Sequence, residues 1–206
     1  MENLIKRYPK LEECRESLKN ALDAMLETYK NGGKILLCGN GGSCADCDHI
    51  VGELMKGFLS MRKIDDNMAE KIGEMFPEDK DYFEKTLQGS LPAISLPSQS
   101  ALLSAFANDV DADMVYAQLV FGYGKPEDLL IAMSTSGNSK NVVNAAKMAK
   151  VKGMKVLAFT GERDSKLSDI CDITIKAPES ETYKIQELHL PIYHYLCAEV
   201  ERQMFN

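Results

Sequence analysis

The sequence predicts an α/β fold in which a parallel sheet is covered by helices on both faces. Three observations carry that reading. Short apolar runs alternate with longer stretches of helical periodicity along the chain. Two of those runs break into Gly- and Ser-rich turns that lead straight into a helix. The length of 206 residues, with 45% hydrophobic and 27% charged residues, suits one globular domain with a sizeable core.

Taken in order, apolar positions at Leu11, Leu18, Leu22, Met25 and Leu26 predict an amphipathic helix over 10–29, stopped by Asn31-Gly-Gly33. Residues 34–38 form a short buried strand, and a helix follows the first Gly turn over 43–55. The texture changes over 58–90. Asp65-Asp66, Pro77 and Glu78-Asp79-Lys80-Asp81 interrupt helical pieces whose apolar faces carry Ile72, Met75, Phe76, Tyr82, Phe83 and Leu87, which predicts a mostly helical insertion. A strand over 91–96, a helix over 98–107, a turn at Asn108-Asp109 and a helix over 113–122 come next. Then follow a strand at 129–133, a helix at 139–151 and a strand at 156–160. A short helix near 164–170, a strand at 173–177 and a long helix from 182 to 204 complete the chain. Loops after the strands of such a sheet gather at one edge, where open α/β sheets bind ligands.

Composition excludes several classes of partner. The formal net charge of −7 argues against a nucleic-acid or anionic-membrane surface, so any bound phosphate must be held by local dipoles. No apolar run approaches the roughly 20 residues of a membrane span, and the polar start is not that of a signal peptide, so a cytoplasmic protein is expected. The six cysteines are expected to be reduced there, with Cys44-Ala-Asp-Cys47 serving as small helix-packing residues rather than a redox or metal motif.

The chemistry concentrates in a few stretches. The apolar strand 129–133 opens into Ser134, Thr135, Ser136 and Ser139 around Gly137, and Val142, Val143, Ala146 and Ala149 then mark one helical face. A strand, a hydroxyl-rich turn and a helix start present free N–H groups and a partial positive charge, which favours an anion without Lys or Arg. The bland alternative is a turn with Ser139 as an ordinary N-cap. The second such loop, Gly39-Asn-Gly-Gly-Ser43, favours the anion site.

His49 and Glu53, four residues apart, share a helix face. They read either as a metal-ligand pair or general base beside the phosphate loop, or as a His paired with a surface carboxylate. The last helix adds Gln186-Glu-Leu-His-Leu-Pro-Ile-Tyr-His194, so all three histidines lie on two helices. Pro191 sits inside that helix and predicts a kink. Gln186 and His194 are separated by about 12 Å of helical rise. If both serve one site, two chains must contribute to it.

Together, Gly39-Asn-Gly-Gly-Ser43, His49-x-x-x-Glu53, Asn108-Asp109, Ser134-Thr-Ser-Gly-Asn-Ser139 and Ile185-Gln-Glu-x-His189 ending at His194 resemble the phosphoheptose isomerases of the sugar isomerase (SIS) domain superfamily. The resemblance spans essentially the whole chain apart from 58–90. It implies one SIS domain over 1–206, a flavodoxin-like, doubly wound five-stranded sheet, and a homotetramer with interfacial active sites. It also implies conversion of sedoheptulose 7-phosphate to D-glycero-D-manno-heptose 7-phosphate. By that resemblance Asn40, Gly41, Gly42, Ser43, Glu53, Asn108, Asp109 and Gln186 line the substrate, and Ser134, Thr135, Ser136 and Ser139 hold its phosphate. Glu53 matches the base and His194 the acid, while His49, Glu53, Gln186 and His194 match zinc ligands.

These residue types suit the chemistry. Aldose–ketose isomerisation moves a proton between adjacent carbons through an enediol, which needs a carboxylate base and a group that shuttles protons at the oxygens. A metal polarising the carbonyl serves the same end. Glu53 and His194 fit both schemes, so the sequence leaves metal and acid–base catalysis open. Met55-Lys56-Gly57 departs from the family, which often carries an Arg there that holds substrate. Two further readings share the fold: an isomerase for another ketose or amino-sugar phosphate, and a non-catalytic sugar-phosphate sensor or replication-initiator adaptor. Adaptors lack the acid and base that Glu53 and His194 would supply here.

Overall fold

The computed structural model describes residues 1–205. Five parallel strands, β1 Ile35–Gly39, β2 Ala93–Ser95, β3 Leu129–Met133, β4 Lys155–Gly161 and β5 Ile173–Ala177, lie in the order β2-β1-β3-β4-β5. The register sets Leu36 opposite Leu130, and Leu130 opposite Val156. In chain order the α-helices are α1 Glu2–Arg7, α2 Arg15–Lys30, α3 Gly42–Met55, α4 Asp66–Met75, α5 Lys80–Thr86, α6 Ser100–Phe106, α7 Val115–Tyr123, α8 Lys140–Val151, α9 Lys166–Ile170 and α10 Thr182–Phe205. This is the parallel sheet covered on both faces that the alternation of runs predicted, in the flavodoxin-like, five-stranded form that the resemblance implied.

Alternation along the strands builds two cores. Ile35, Leu37, Leu129, Ile131, Leu157 and Phe159 project to one face, where they meet apolar residues of α2, α3 and α10. Leu36, Cys38, Leu130, Ala132, Val156 and Ala158 project to the other, against α7 and α8. Both faces being covered, β1 and β3 are buried at every position. Strand order reverses between β1 and β3, and the carboxyl ends of that pair are where the two Gly-rich turns emerge.

Several boundaries differ from the sequence expectations for local reasons. The first expected helix begins with a 3-10 segment, Pro9–Cys14, and becomes α-helical only at Arg15; Pro9 has no N–H to give and fixes a tight entry. The strand expected over 91–96 shrinks to Ala93–Ser95 because Pro92 and Pro97 flank it and cannot donate to a ladder. Asn108-Asp109 is not a turn: Ala107–Asp111 winds on as a π-helical turn into the 3-10 turn Ala112–Met114. Helix α10 runs on from Thr182 to Phe205 with Pro191 in its interior. Helix α1, not expected, buries Leu4.

Residues 58–90 are helical as expected. Helices α4 and α5 bury no residue and stand as a hairpin whose foot is tied down. At that foot the Gly57 N–H donates to Gln88 Oε1 (2.8 Å), and Gly89 N–H donates to the Arg62 carbonyl (2.9 Å). All six cysteines are unpaired, and Cys47 of the C-x-x-C stretch packs its sulfur against Met133 in the core.

His189 lies in that core, fully buried, its Nε2 at 3.1 Å from the Thr160 carbonyl and its ring edge-on to Phe159. Burial pushes its imidazole down from 6.5 to about 4. The unfolded chain therefore takes up a proton near pH 6.5 that the folded chain refuses until about pH 4. The folded-state pKa being depressed for a base, stability is full above 6.5 and falls as the pH drops towards 4, by about 3 kcal/mol. Urea unfolding of wild type and His189→Gln across this window should show the loss in wild type and a correspondingly shallower pH dependence in the variant.

Candidate active site

The site is built on two helices that leave the same sheet edge. Helix α3 follows β1 and α10 follows β5, so both run back along the sheet side by side and parallel. The Gln186 amide lies directly against Gly42, and seven residues further along each helix Tyr193 meets His49. The seam thus has an end at the Gly-rich loops and an end deeper along the helices, with different chemistry at each.

At the loop end, Asn40, Gly41, Gly42 and Ser43 from the first turn and Ser134, Thr135 and Ser139 from the second line an open cavity of about 310 Å³, closed by Thr182 and Gln186 of α10. Gly41 takes φ 56°, and Gly137 takes φ 65° with Ser165 so close that a Cβ would meet its Oγ at 2.0 Å. Neither N-cap residue, Gly41 of α3 or Ser139 of α8, gives a side-chain cap, although the Val142 N–H donates to Asn141 Oδ1 at 3.0 Å. Ser139 occupies the N-cap position of α8, but its hydroxyl lies 3.0 Å from Ser134 Oγ instead of on a helix N–H. The hydroxyls and helix starts therefore face the cavity, and the ordinary-cap reading of Ser139 fails. Ser136 lies 3.5 Å from Ser134 Oγ and lines the neighbouring cleft with Thr135, Asn138 and Arg163.

At the deeper end, His49, Glu53 and His194 converge. His49 Nε2 is 3.1 Å from Glu53 Oε1 and 3.5 Å from His194 Nε2. One ligand atom from each lies within 4.8 Å of the other two. Burial holds the His194 imidazole below its usual range, and the adjacent His49 adds to this while Glu53 opposes it. Glu53 Oε2 is buried without a hydrogen-bond partner among the described residues, and Lys56 Nζ stands 3.9 Å away. Two imidazole nitrogens and a carboxylate converging on one point, with the second carboxylate oxygen left without a partner, fit a divalent cation with nitrogen and oxygen ligands. Phe58 lies against His194 with ring centroids 5.6 Å apart.

The structure does not bring all the expected residues together. Gln186 belongs to the loop end and stands away from His49, Glu53 and His194 of its own chain. Asn108 and Asp109 are exposed on the π-helical turn, joined to each other at 2.8 Å, and do not line the cavity. Sequence reasoning missed several residues that hold the site. Asn141 exchanges two amide hydrogen bonds with Asn40 (2.9 and 3.0 Å), and Tyr116 donates to the Gly39 carbonyl at 2.8 Å. Asn141 sits two residues after Ser139, a position that could have been read as facing the same loop.

The third missed group is a buried ion pair. Arg62, from the start of the insertion, and Glu201 of α10 pair at 2.7 Å with side-chain exposures of 0% and 2%. The guanidinium also donates to the carbonyls of Leu54 (2.6 Å) and Glu53 (2.8 Å), satisfying the last turn of α3. Burial opposes the charge of Glu201, yet N–H donors from Phe58 and Leu59 and the Arg62 guanidinium hold its carboxyl below the ordinary range. The pair fastens the last turn of α3 to α10.

Comparison with known proteins agrees with this architecture. A family model described as SIS domain matches residues 2–87 and 74–161. The phosphoheptose isomerase of Helicobacter pylori is 38% identical over 192 residues, covering 93% of this chain and 86% of that protein. The phosphoheptose isomerase of Aliarcobacter butzleri is 36% identical over 194 residues, covering 94% and 89%. Among solved structures, phosphoheptose isomerase GmhA from Neisseria gonorrhoeae superposes with a TM-score of 0.77 at 29% identity, covering 97% of this chain and 94% of that one.

Removing one member of a desolvated pair strands the other. Arg62→Met should therefore lower stability by about 3–5 kcal/mol, whereas Arg62→Met combined with Glu201→Leu should recover only part of the loss, because the carbonyls of Leu54 and Glu53 and the N–H groups of Phe58 and Leu59 still lose their partners. Urea midpoints of the two variants and wild type measure both effects.

Proposed function

This chain belongs to the phosphoheptose isomerases of the SIS-domain family, and on that premise we propose that its two clusters divide the isomerisation of sedoheptulose 7-phosphate to D-glycero-D-manno-heptose 7-phosphate between them. The observation that carries the reading is the convergence of Glu53 with His49 and His194 on the seam whose other end opens at the hydroxyl-lined loops.

Ser134, Thr135, Ser136 and Ser139, with the starts of α3 and α8, hold the phosphate by hydroxyls and helix dipoles, which suits a chain of net charge −7. Asn40, Gly41, Gly42, Ser43 and Gln186 line the sugar beside it. Asn108 and Asp109 join the substrate-binding set on the resemblance alone. The Glu53 carboxylate takes the proton from one of two adjacent carbons and returns it to the other through the enediol, and His194 moves protons at the oxygens. His49, Glu53 and His194 would hold zinc, with Gln186 as the remaining ligand. Zinc bound there supplies Lewis-acid polarisation of the substrate carbonyl.

Gln186 stands about 12 Å of helical rise from His194, so one chain does not bring both to a single ion. The Gln186 of a neighbouring copy would complete the ligand set, with the active site shared between subunits of a homotetramer. Exposed Leu59 and Met61, just beyond the end of α3, suit a surface covered in that assembly. No described helix is long and apolar enough to cross a membrane, and we place the enzyme in the cytoplasm, as a single SIS domain with a helical insertion. Nothing in the site favours the sensor or adaptor readings over catalysis.

In a coupled assay with sedoheptulose 7-phosphate and zinc, wild type should turn over and Glu53→Gln should lose about 10²–10⁴-fold in rate. Full activity in the variant would remove Glu53 as the base. The shared site has its own test. Gln186→Ala and Glu53→Gln proteins, each inactive alone, should recover activity when unfolded together and reassembled, because mixed tetramers contain sites with both residues intact. Failure to complement, with mixed tetramers confirmed by mass spectrometry, would place each site within one chain.

A further inference from the structure

Behind His49 lies a second contact chain that the isomerase reading does not use. The Tyr193 hydroxyl is 2.9 Å from His49 Nδ1 and 3.2 Å from Asp46 Oδ1. Tyr193 is 1% exposed and its ring stands edge-on to His49, with centroids 5.4 Å apart at 73°. Asp46 Oδ2 is buried and has no hydrogen-bond partner among the described residues.

The donors decide how these contacts are filled. A phenol has one hydrogen to give, and a carboxylate can only accept. If Tyr193 gave its hydrogen to His49, its oxygen would face Asp46 Oδ1 with no hydrogen between them. With Asp46 ionised, both short contacts are satisfied only when His49 donates Nδ1–H to the Tyr193 oxygen and Tyr193 donates to Asp46. The other ring nitrogen, Nε2, is then left bare towards Glu53 Oε1 and His194 Nε2. In the absence of the relay, the nearby Glu53 carboxylate at 3.1 Å would draw the proton of a neutral ring to Nε2 instead.

We propose that Tyr193 and Asp46 are positioning residues that fix His49 in its Nδ1–H tautomer and aim Nε2 as a metal ligand. A ligating imidazole whose second nitrogen donates to an outer partner has a fixed ring orientation and greater basicity, and loss of such a partner typically weakens metal binding about 10–100-fold. The tautomer rests on the hydrogen bonds alone; its consequence for affinity rests on the zinc reading given above.

Long-range proton–nitrogen NMR on zinc-free protein in mildly alkaline solution, where imidazole is neutral, tests it directly. The His49 signals are assigned by comparison with His49→Gln. Wild type should show Nδ1–H. Tyr193→Phe keeps the ring and its packing but should lose this preference and shift towards Nε2–H. Asp46→Ala frees the Tyr193 hydroxyl to donate to Nδ1, and should invert the tautomer. Zinc affinity, read by competition with a chromophoric chelator, should fall about 10–100-fold in Tyr193→Phe. Nε2–H in wild type would overturn the proposal, as would wild-type zinc affinity in Tyr193→Phe. Absence of zinc binding by wild type would overturn the metal reading instead, and the tautomer would still decide the role of Tyr193.

Discussion

Two helices that leave the same edge of a parallel sheet have to run parallel to one another, and the α3–α10 seam that results is the constraint on which the site depends. Helical rise converts sequence separation along the seam into distance. Gly42 and Gln186 start level with each other, so His49 and Tyr193 also come level seven residues on, and Glu53 and Glu201 follow further along. Each position on the seam is thus assigned either to the loop mouth or to the deeper cluster. The Arg62–Glu201 pair closes the far end, taking two carbonyls from the last turn of α3 at the same time. A charge pair there is costly to desolvate, but the N–H groups of Phe58 and Leu59 share the carboxylate, so its lone pairs are met by donors.

The two ends of the seam solve opposite electrostatic problems. An anion at the loop mouth meets a protein of net charge −7, and the local answer is uncapped helix starts and hydroxyls rather than basic side chains. At the deeper end the difficulty is an excess of acceptors. His49, His194 and Glu53 face one another, and a single imidazole proton cannot satisfy both Glu53 and the Tyr193–Asp46 arm. A cation at the convergence would remove the conflict, taking bare Nε2 atoms and a carboxylate oxygen as ligands.

Much of this was legible in the sequence where local physics governs. The strands β1 and β3 stood out because burial on both faces leaves uninterrupted apolar runs, and the loops because Gly and Ser follow those runs at once. His49 and Glu53 fall on one face by helical periodicity alone, and the spacing from Gln186 to His194 already separated those two residues. What stayed hidden depends on contacts between distant segments. Arg62 lies in a stretch without periodic signal, and its partner is on a helix 139 residues later. Asn108-Asp109 looked like a turn because both residues favour turns, but neighbouring helical residues carry the chain through as a π-helical winding.

Tyr193 shows why the supporting groups of a site are harder to read than its ligands. Its neighbour His194 is conspicuous as one of three histidines, whereas a Tyr inside an apolar stretch of helix is normally a core residue, and by packing Tyr193 is one. Successive residues on a helix project about a quarter-turn apart, so His194 and Tyr193 address different sides of the same ring system. Only the parallel register with α3 brings the Tyr193 hydroxyl between Asp46 and His49, which are themselves one turn apart on α3. One helical turn of α3 therefore supplies both His49 and the carboxylate behind it, and α10 supplies the hydroxyl that stands between them. The seam that keeps Gln186 from its own chain's cluster is also what assembles that cluster's second layer.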